Sequence, residues 1–174
     1  MGRSVIAIST VILLSQIAAF PQDRPNFSGT WKSDPARSDS AHQASPIGPI
    51  TLTISQTGTQ LSIDTRTDPK DRASIANDKL LFRLDGTETK NTGSSGAPIV
   101  CRARWDGSDL VTETVRNLAG STVTTNWVLK MEPSGKEMTI KKTLTVQHGY
   151  QSPDAKNVGT GVDVFVKTSS GAKK

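Results

Sequence analysis

From residue 50 onward, this chain alternates apolar and polar residues with a period of two. Between Ile50 and Ser55, for example, every second residue is Ile or Leu, and the residues between them are Thr or Ser. Such alternation is typical of a β-strand with one buried face. Turn-forming pairs such as Asp106-Gly107 follow the alternating segments closely. The pattern therefore predicts an all-β protein built from successive hairpins.

Nine strands follow from this pattern, and most are joined by short turns. They are Phe27–Lys32, Ile50–Ser55, a strand around Leu61 and Ile63, Lys79–Leu84, Pro98–Trp105, Leu110–Val115, Thr122–Lys130, Met138–Gln147 and Val162–Lys167. The longer connections are predicted as loops: Ser33–Pro49 with a short helical turn at Pro35–Ser38, Thr67–Asn77, Thr87–Gly96 and His148–Gly161. A meander of this length loses its exposed edges most simply by closing on itself. We therefore expect an antiparallel up-and-down barrel of about eight to nine strands, with an open sandwich as the alternative.

The N-terminus has the pattern of a secretory signal peptide. Residues 1–22 contain one basic residue, Arg3, followed by an apolar run from Val5 to Phe20 and a possible cleavage site at Ala18 and Ala19. Polar residues interrupt this run, which is marginal against the roughly 20 apolar residues of a membrane span. We expect cleavage near Ala19 and a secreted or periplasmic product without a stable membrane anchor. An uncleaved anchor is the alternative.

The remaining residues predict one domain, a barrel over residues 23–168, followed by a disordered polar tail at 169–174. Cys101 is the only cysteine, so the chain cannot be a disulfide scaffold, and its strand-like surroundings favour a buried, unreactive thiol. The formal charge of +5 becomes +4 without Arg3, and no dense basic run contains interleaved aromatic residues. We therefore expect no nucleic-acid partner and a monomeric protein.

Two charges fall on strand faces that are otherwise apolar. Lys142 alternates with Met138, Ile140, Leu144 and Val146, and Glu113 alternates with two valines. A buried charge is costly unless it is paired or hydrated. One hypothesis places Glu113 and Lys142 inside the barrel, in contact with a ligand or with each other. The alternative places them at a barrel mouth, where their long stems reach solvent.

Three further inward positions, Thr125, Trp127 and Cys101, complete the candidate lining of the interior, while Gly29 and Trp31 are predicted to close one end of the barrel. No catalytic or metal site is predicted. The two histidines, His42 and His148, lie in polar stretches far apart in sequence, without metal-ligand spacing. We expect no enzyme activity and no cofactor. If the interior did hold an acid–base residue, Glu113 would be the candidate.

The stretch from Phe27 to Lys32, with its Gly-x-Trp, resembles the opening strand of the calycin group, which includes lipocalins and fatty-acid-binding proteins. The rest resembles small exported bacterial proteins of unassigned role that are often described as lipocalin-like. The segments that carry this resemblance are Ala103–Gly107, Leu110–Thr114, Trp127–Leu129 and Gly135–Ile140.

This resemblance implies a barrel with a ligand-sized interior and a small hydrophobic or amphipathic ligand. In lipocalins the Gly-x-Trp tryptophan packs on a basic residue from a late strand, and Lys141 or Lys142 could fill that role, although the expected Arg is missing. The alternative function is a non-catalytic interaction or structural module of the cell envelope.

Overall fold

The computed structural model describes residues 24–42, 47–67, 77–150, 152 and 155–168. These residues form ten antiparallel strands in one sheet. The strands are β1 (Gly29–Ser33), β2 (Ile50–Gln56), β3 (Gln60–Thr67), β4 (Lys79–Arg83), β5 (Thr89–Thr92), β6 (Pro98–Asp106), β7 (Asp109–Leu118), β8 (Ser121–Met131), β9 (Glu137–His148) and β10 (Asn157–Thr168). The predicted all-β antiparallel barrel is confirmed, with one strand more than the sequence indicated. The predicted signal peptide and the C-terminal tail lie outside the described residues.

Two segments differ from the sequence prediction. The connection predicted over Thr87–Gly96 contains β5, which pairs with β6. The last strand begins at Asn157 rather than at Val162, and its additional residues pair with β9. In both places polar residues and glycine occupy strand positions, so that backbone pairing rather than side-chain burial defines the strand.

The sheet curls until its two edge strands, β4 and β5, approach each other. Its strand order is β4-β3-β2-β1-β10-β9-β8-β7-β6-β5. Side chains of β5 bridge the seam: the Asn91 amide accepts from Leu81 N–H at 2.8 Å and donates to Leu81 O at 2.9 Å, and the Thr89 hydroxyl donates to the same oxygen at 2.6 Å. The barrel is therefore nearly closed, with side-chain bonds where a backbone ladder would complete it.

The chain between β1 and β2 is fastened to the last strand. Its described residues, 34–42 and 47–49, are called the first connection here and contain two 3-10 turns, Pro35–Arg37 and Asp39–Ala41. Asp34 N–H donates to Val164 O at 2.8 Å, and the Ser38 hydroxyl accepts from Val164 N–H at 3.1 Å. The short helical turn predicted at Pro35–Ser38 is present, and these bonds hold it against β10.

The two ends of the barrel are packed differently. At the base, the end with the β2–β3, β6–β7 and β8–β9 turns, the interior is solid with fully buried side chains such as Trp31, Phe165 and Leu129. The opposite end, called the mouth, has the β7–β8 turn and the β9–β10 connection. Strands β7–β10 have 10 to 12 residues, whereas β1–β4 have 5 to 8. Because the long strands extend past the short ones, inner-face residues such as Thr125 and Val146 are only half-buried.

Candidate functional site

A small cavity lies in the middle of the barrel, between the walls formed by β3–β4 and β7–β8. Its volume is about 30 Å3. Half of its lining side chains are threonines and half are apolar, and none carries a charge: Ile63, Thr65, Leu80, Phe82, Thr112, Thr114, Thr125 and Trp127. The alternation of each strand places these residues on the inner face. The cavity holds about two water molecules, so the middle of the barrel is nearly filled.

A larger groove opens at the mouth, between the first connection and strands β9 and β10. Its volume is about 250 Å3. The lining residues are Asp39, Ser40, Ile47, Lys142, Leu144, Gly159, Thr160, Gly161 and Asp163. Leu144 lies on the inner face of β9 but is 44% exposed. The groove therefore combines an exposed apolar wall with a polar floor.

An ion pair between Lys142 and Asp163 forms this floor. The Lys142 ammonium contacts Asp163 Oδ2. It also lies 5.3 Å from the ring centroid of Trp127 and 5.8 Å from that of Phe165, which are distances for cation–π attraction. Trp127 lines the cavity and Lys142 lines the groove. The contact between these two side chains therefore lies between the two spaces.

Asp163 is held by two donors from different parts of the chain. Its other oxygen accepts from Ser40 N–H at 3.0 Å, so the carboxylate also fixes the first connection. Only 1% of the residue is exposed. Burial by itself would raise the pKa of Asp163, but the bond to Lys142, the charge of that ammonium and the Ser40 N–H outweigh burial and hold the pKa below its usual value.

A second ion pair lies further along the inner face. Arg116 Nη1 lies 3.1 Å from Asp78 Oδ2, and 23% and 6% of their side chains are exposed. The other oxygen of Asp78 accepts from Ser94 N–H at 2.8 Å. Asp78 and Asp163 thus each contact a cationic side chain and accept a hydrogen bond from a backbone N–H.

Glu113 faces outward, so the prediction that it lies inside the barrel is wrong. The buried residues of β7 are Leu110 and Thr112, which places Glu113 on the other face. There it accepts from Arg102 Nη1 at 2.9 Å, and 34% and 45% of the two side chains are exposed. The proposed contact with Lys142 is wrong for the same reason. The two valines flanking Glu113 suggested an apolar face, but the inner face of β7 is the one with threonines.

Gly29 and Trp31 lie together at the base. Trp31 is fully buried, and its indole N–H donates to Phe27 O at 2.8 Å. Its basic neighbour is Lys167 of β10, whose ammonium lies 5.0 Å from the ring centroid, so the assignment of Lys141 or Lys142 to this role is wrong. Gly29 has φ +139°, and a Cβ there would lie 2.6 Å from Lys167 Cε. Glycine thus permits both the backbone conformation and the lysine's position.

Cys101 is fully buried on the inner face and lines neither the cavity nor the groove. Burial raises the pKa of its thiol to about 11, against a smaller opposite effect of a hydrogen bond from Asn91. The structure thus brings together three of the predicted lining residues, Thr125, Trp127 and Lys142. It adds Asp163, which the sequence analysis missed although it alternates with Phe165 on one strand face.

The two histidines lie in different parts of the structure. His42 follows the second 3-10 turn. His148 ends β9, stacks on Tyr150 and has Nδ1 2.8 Å from the Ser121 hydroxyl. In the described part of the chain, no group of three or more His, Cys, Asp or Glu side chains is placed to hold a metal ion. No helix among those residues is long and apolar enough to cross a membrane.

Comparison with solved structures identifies the class of fold. A secretory abundant heat soluble protein from Ramazzottius varieornatus is 14% identical over 82% of this chain and 95% of that chain, with a TM-score of 0.51. Secretory abundant heat soluble protein 4 of that organism is 13% identical, with 82% and 94% covered and a TM-score of 0.51. Apo lipid binding protein 8 of Caenorhabditis elegans is 13% identical, with 82% and 95% covered and a TM-score of 0.50.

The fold is therefore that of calycin-like β-barrel proteins, as the Gly-x-Trp resemblance indicated. At these identities the likeness shows the fold alone. No family model and no curated protein sequence matches the chain.

Proposed function

We propose that this protein is exported and binds a small hydrophobic or amphipathic molecule at the mouth of its barrel. The observation that carries the proposal is the difference between the two ends of the interior. The interior of the base is solid, whereas the middle of the barrel contains a small cavity and the mouth has half-buried inner-face side chains and a groove. Ligand sites are concave and mostly apolar, so the interior toward the mouth is a better candidate for a binding site than the filled interior of the base.

The size of the site limits the ligand. The cavity alone is much smaller than a ligand site, but the groove, with a volume of about 250 Å3, approaches the lower limit of the roughly 300–1,000 Å3 that such sites occupy. Both spaces adjoin the Lys142–Trp127 contact. A bound molecule would lie in the groove against Leu144 and Ile47 and extend an apolar group toward Trp127.

Two further observations support the proposal. One structural neighbour is a lipid binding protein by name, and the same function on this fold would use the same interior. The signal-like residues 1–22 support export. Intact mass of the exported protein tests this second part: a mass lacking about the first 19 residues agrees with cleavage, and a mass that includes Met1 contradicts it.

Binding can be tested with Nile red, an uncharged dye whose emission rises in apolar surroundings. Titration of the purified protein should give saturable binding. Thr125→Trp places a large side chain at the cavity and should weaken binding at least about tenfold, the equivalent of about 1.4 kcal/mol. Thr124→Trp adds the same bulk on the other face of β8 and should leave the Kd within about twofold.

The outcome depends on the comparison of the two variants. Circular dichroism must show that both are folded, and Thr125→Leu is a milder substitution if Thr125→Trp is not. Equal affinity of the Thr124 and Thr125 variants would place the dye outside the interior and contradict the proposal. The absence of saturable dye binding to the wild-type protein would contradict it as well.

A second candidate function is a non-catalytic interaction module of the cell envelope. It is favoured by large apolar side chains that are exposed near the mouth: Tyr150 at 85%, Val158 at 62% and Leu118 at 46%. If the wild-type protein does not bind Nile red, and Tyr150→Ser weakens its retention by isolated cell envelopes, this second function is the better description. A monomer that binds the dye and is not retained by envelopes would favour the first.

A further inference from the structure

We propose that the polar end of the ligand is uncharged, so that the protein takes neutral amphipathic molecules such as long-chain alcohols, esters or amides rather than fatty acids or amines. This inference rests on the proposed function and specifies its ligand class. It follows from how the charges at the mouth are paired.

The first argument concerns the cations of the inner wall. Among the described residues, two cationic side chains occupy inner-face strand positions near the mouth, Lys142 and Arg116, and each already contacts a carboxylate, Asp163 or Asp78. Each of these carboxylates is at least nine-tenths buried. An anionic ligand at either cation would lie beside this buried carboxylate or displace it, and both like charges in contact and a buried charge without its partner are unfavourable. Among the described inner-face residues near the mouth, no lysine or arginine is therefore free of a carboxylate partner.

The second argument concerns the groove itself. Its charged side chains are Asp39, Asp163 and Lys142, a formal charge of −1. This sign opposes the entry of an anion. A cation is disfavoured as well, because the Lys142 ammonium in the groove repels it. A cation would also compete with the existing donors of the carboxylates: Asp39 Oδ2 accepts from Val162 N–H at 2.8 Å, and Asp163 accepts from Lys142 and from Ser40 N–H.

The third argument concerns the cavity. Its polar groups are the hydroxyls of four threonines, and no charged side chain lines it. A hydroxyl can donate and accept one hydrogen bond with a neutral oxygen or nitrogen. Transfer of a charged group into such surroundings is much more costly than transfer of a neutral polar group. The cavity thus agrees with the groove in favouring an uncharged ligand.

The test compares three molecules that share one saturated chain: dodecanol, dodecanoic acid and dodecylamine. Displacement of Nile red from the purified exported protein is measured for each molecule at neutral pH, below the critical micelle concentration of that molecule. We expect dodecanol to bind at least about tenfold more tightly than either charged molecule. Tighter binding of the acid or the amine would overturn this inference and leave the proposed function intact. If Nile red binds and dodecanol does not displace it, the inference is overturned too. If Nile red does not bind, the proposed function itself is overturned.

A pair of variants tests the cause of the selectivity. Asp163→Asn removes the charge that neutralises Lys142, and we expect the ratio of dodecanoic acid affinity to dodecanol affinity to rise about tenfold. Asp39→Asn is the matched control, because it removes a carboxylate from the same groove without releasing a cation, and its ratio should change much less. An equal ratio in the two variants would overturn the role of the Lys142–Asp163 pair. If Asp163→Asn does not fold, the comparison of the three molecules on the wild-type protein decides the inference by itself.

Discussion

Replacement of Lys142 by Met isolates the contribution of the buried ion pair. Methionine is one atom shorter than lysine and lacks the ammonium, which in the wild type contacts Asp163, a residue that is only 1% exposed. Removal of one member of a buried pair costs about 3–5 kcal/mol. Asp163 retains the Ser40 N–H, and 22% of the Lys142 side chain is exposed. We therefore expect a loss near the lower limit, about 2–3 kcal/mol, and a Tm lower by about 5–10 °C.

Urea denaturation and thermal melting at neutral pH measure this loss. Lys141→Met is the matched control, because Lys141 is the exposed neighbour on the same strand, and it should change the free energy of unfolding by no more than about 0.5 kcal/mol. Glu113→Gln breaks an exposed pair and should cost less than about 1 kcal/mol. If Lys142→Met is as stable as the two controls, the pair does not stabilise the barrel and our reasoning about the mouth is wrong.

The pH dependence provides an independent check of the same pair. The pKa of Asp163 is lowered in the folded protein, so its contribution to stability is present above the unfolded pKa and is lost as the pH falls through the folded pKa. The stability difference between wild type and Lys142→Met should therefore shrink as the solution becomes acidic. A difference that is constant from neutral to acidic pH would contradict this interpretation.

Three further predictions concern the base and the thiol. Gly29→Ala should lower the free energy of unfolding by about 2 kcal/mol, because φ +139° is strained for alanine. If backbone strain is the cause, the loss should persist in a double variant with Lys167→Ala. Thermal melting measures both variants. Trp31→Phe removes the 2.8 Å bond to Phe27 O and should lower the free energy of unfolding in urea by about 1–3 kcal/mol. Cys101 is fully buried, and the pKa of its thiol is raised to about 11. It should not react with a thiol reagent at neutral pH in the folded protein but should react in urea. Rapid labelling of the native protein would contradict its burial.

The sequence could predict the strands wherever one face is buried. The clean alternation of Ile50–Ser55 gave a strand within one residue of β2. It could not predict β5, whose Thr-Lys-Asn-Thr sequence buries little and is defined by pairing with β6. The first half of β10 was missed for the same reason, because its glycines bury no side chain. Strands defined by their neighbours leave little signal in their own residues.

The site was predicted in part. Thr125, Trp127 and Lys142 lie on the inner face, as alternation along β8 and β9 indicates. Glu113 was assigned to the wrong face because the outer face of β7 carries valines while its inner face carries threonines at 112 and 114. Hydrophobicity therefore does not indicate the buried face of β7. In the structure Glu113 lies on the outer face, where it pairs with Arg102 of the neighbouring strand.

The pairing of β1 with β10 has a consequence for how the chain acquires its structure. β1 pairs with β2 on one side and with β10, more than a hundred residues later, on the other. A polypeptide emerging from a ribosome or a translocation pore cannot complete this cylinder until its final strand is free. Such long-range pairing slows folding, and until then β1 and β9 each expose an unpaired edge. Molecules truncated before residue 157 should therefore aggregate or be degraded rather than accumulate as a smaller barrel.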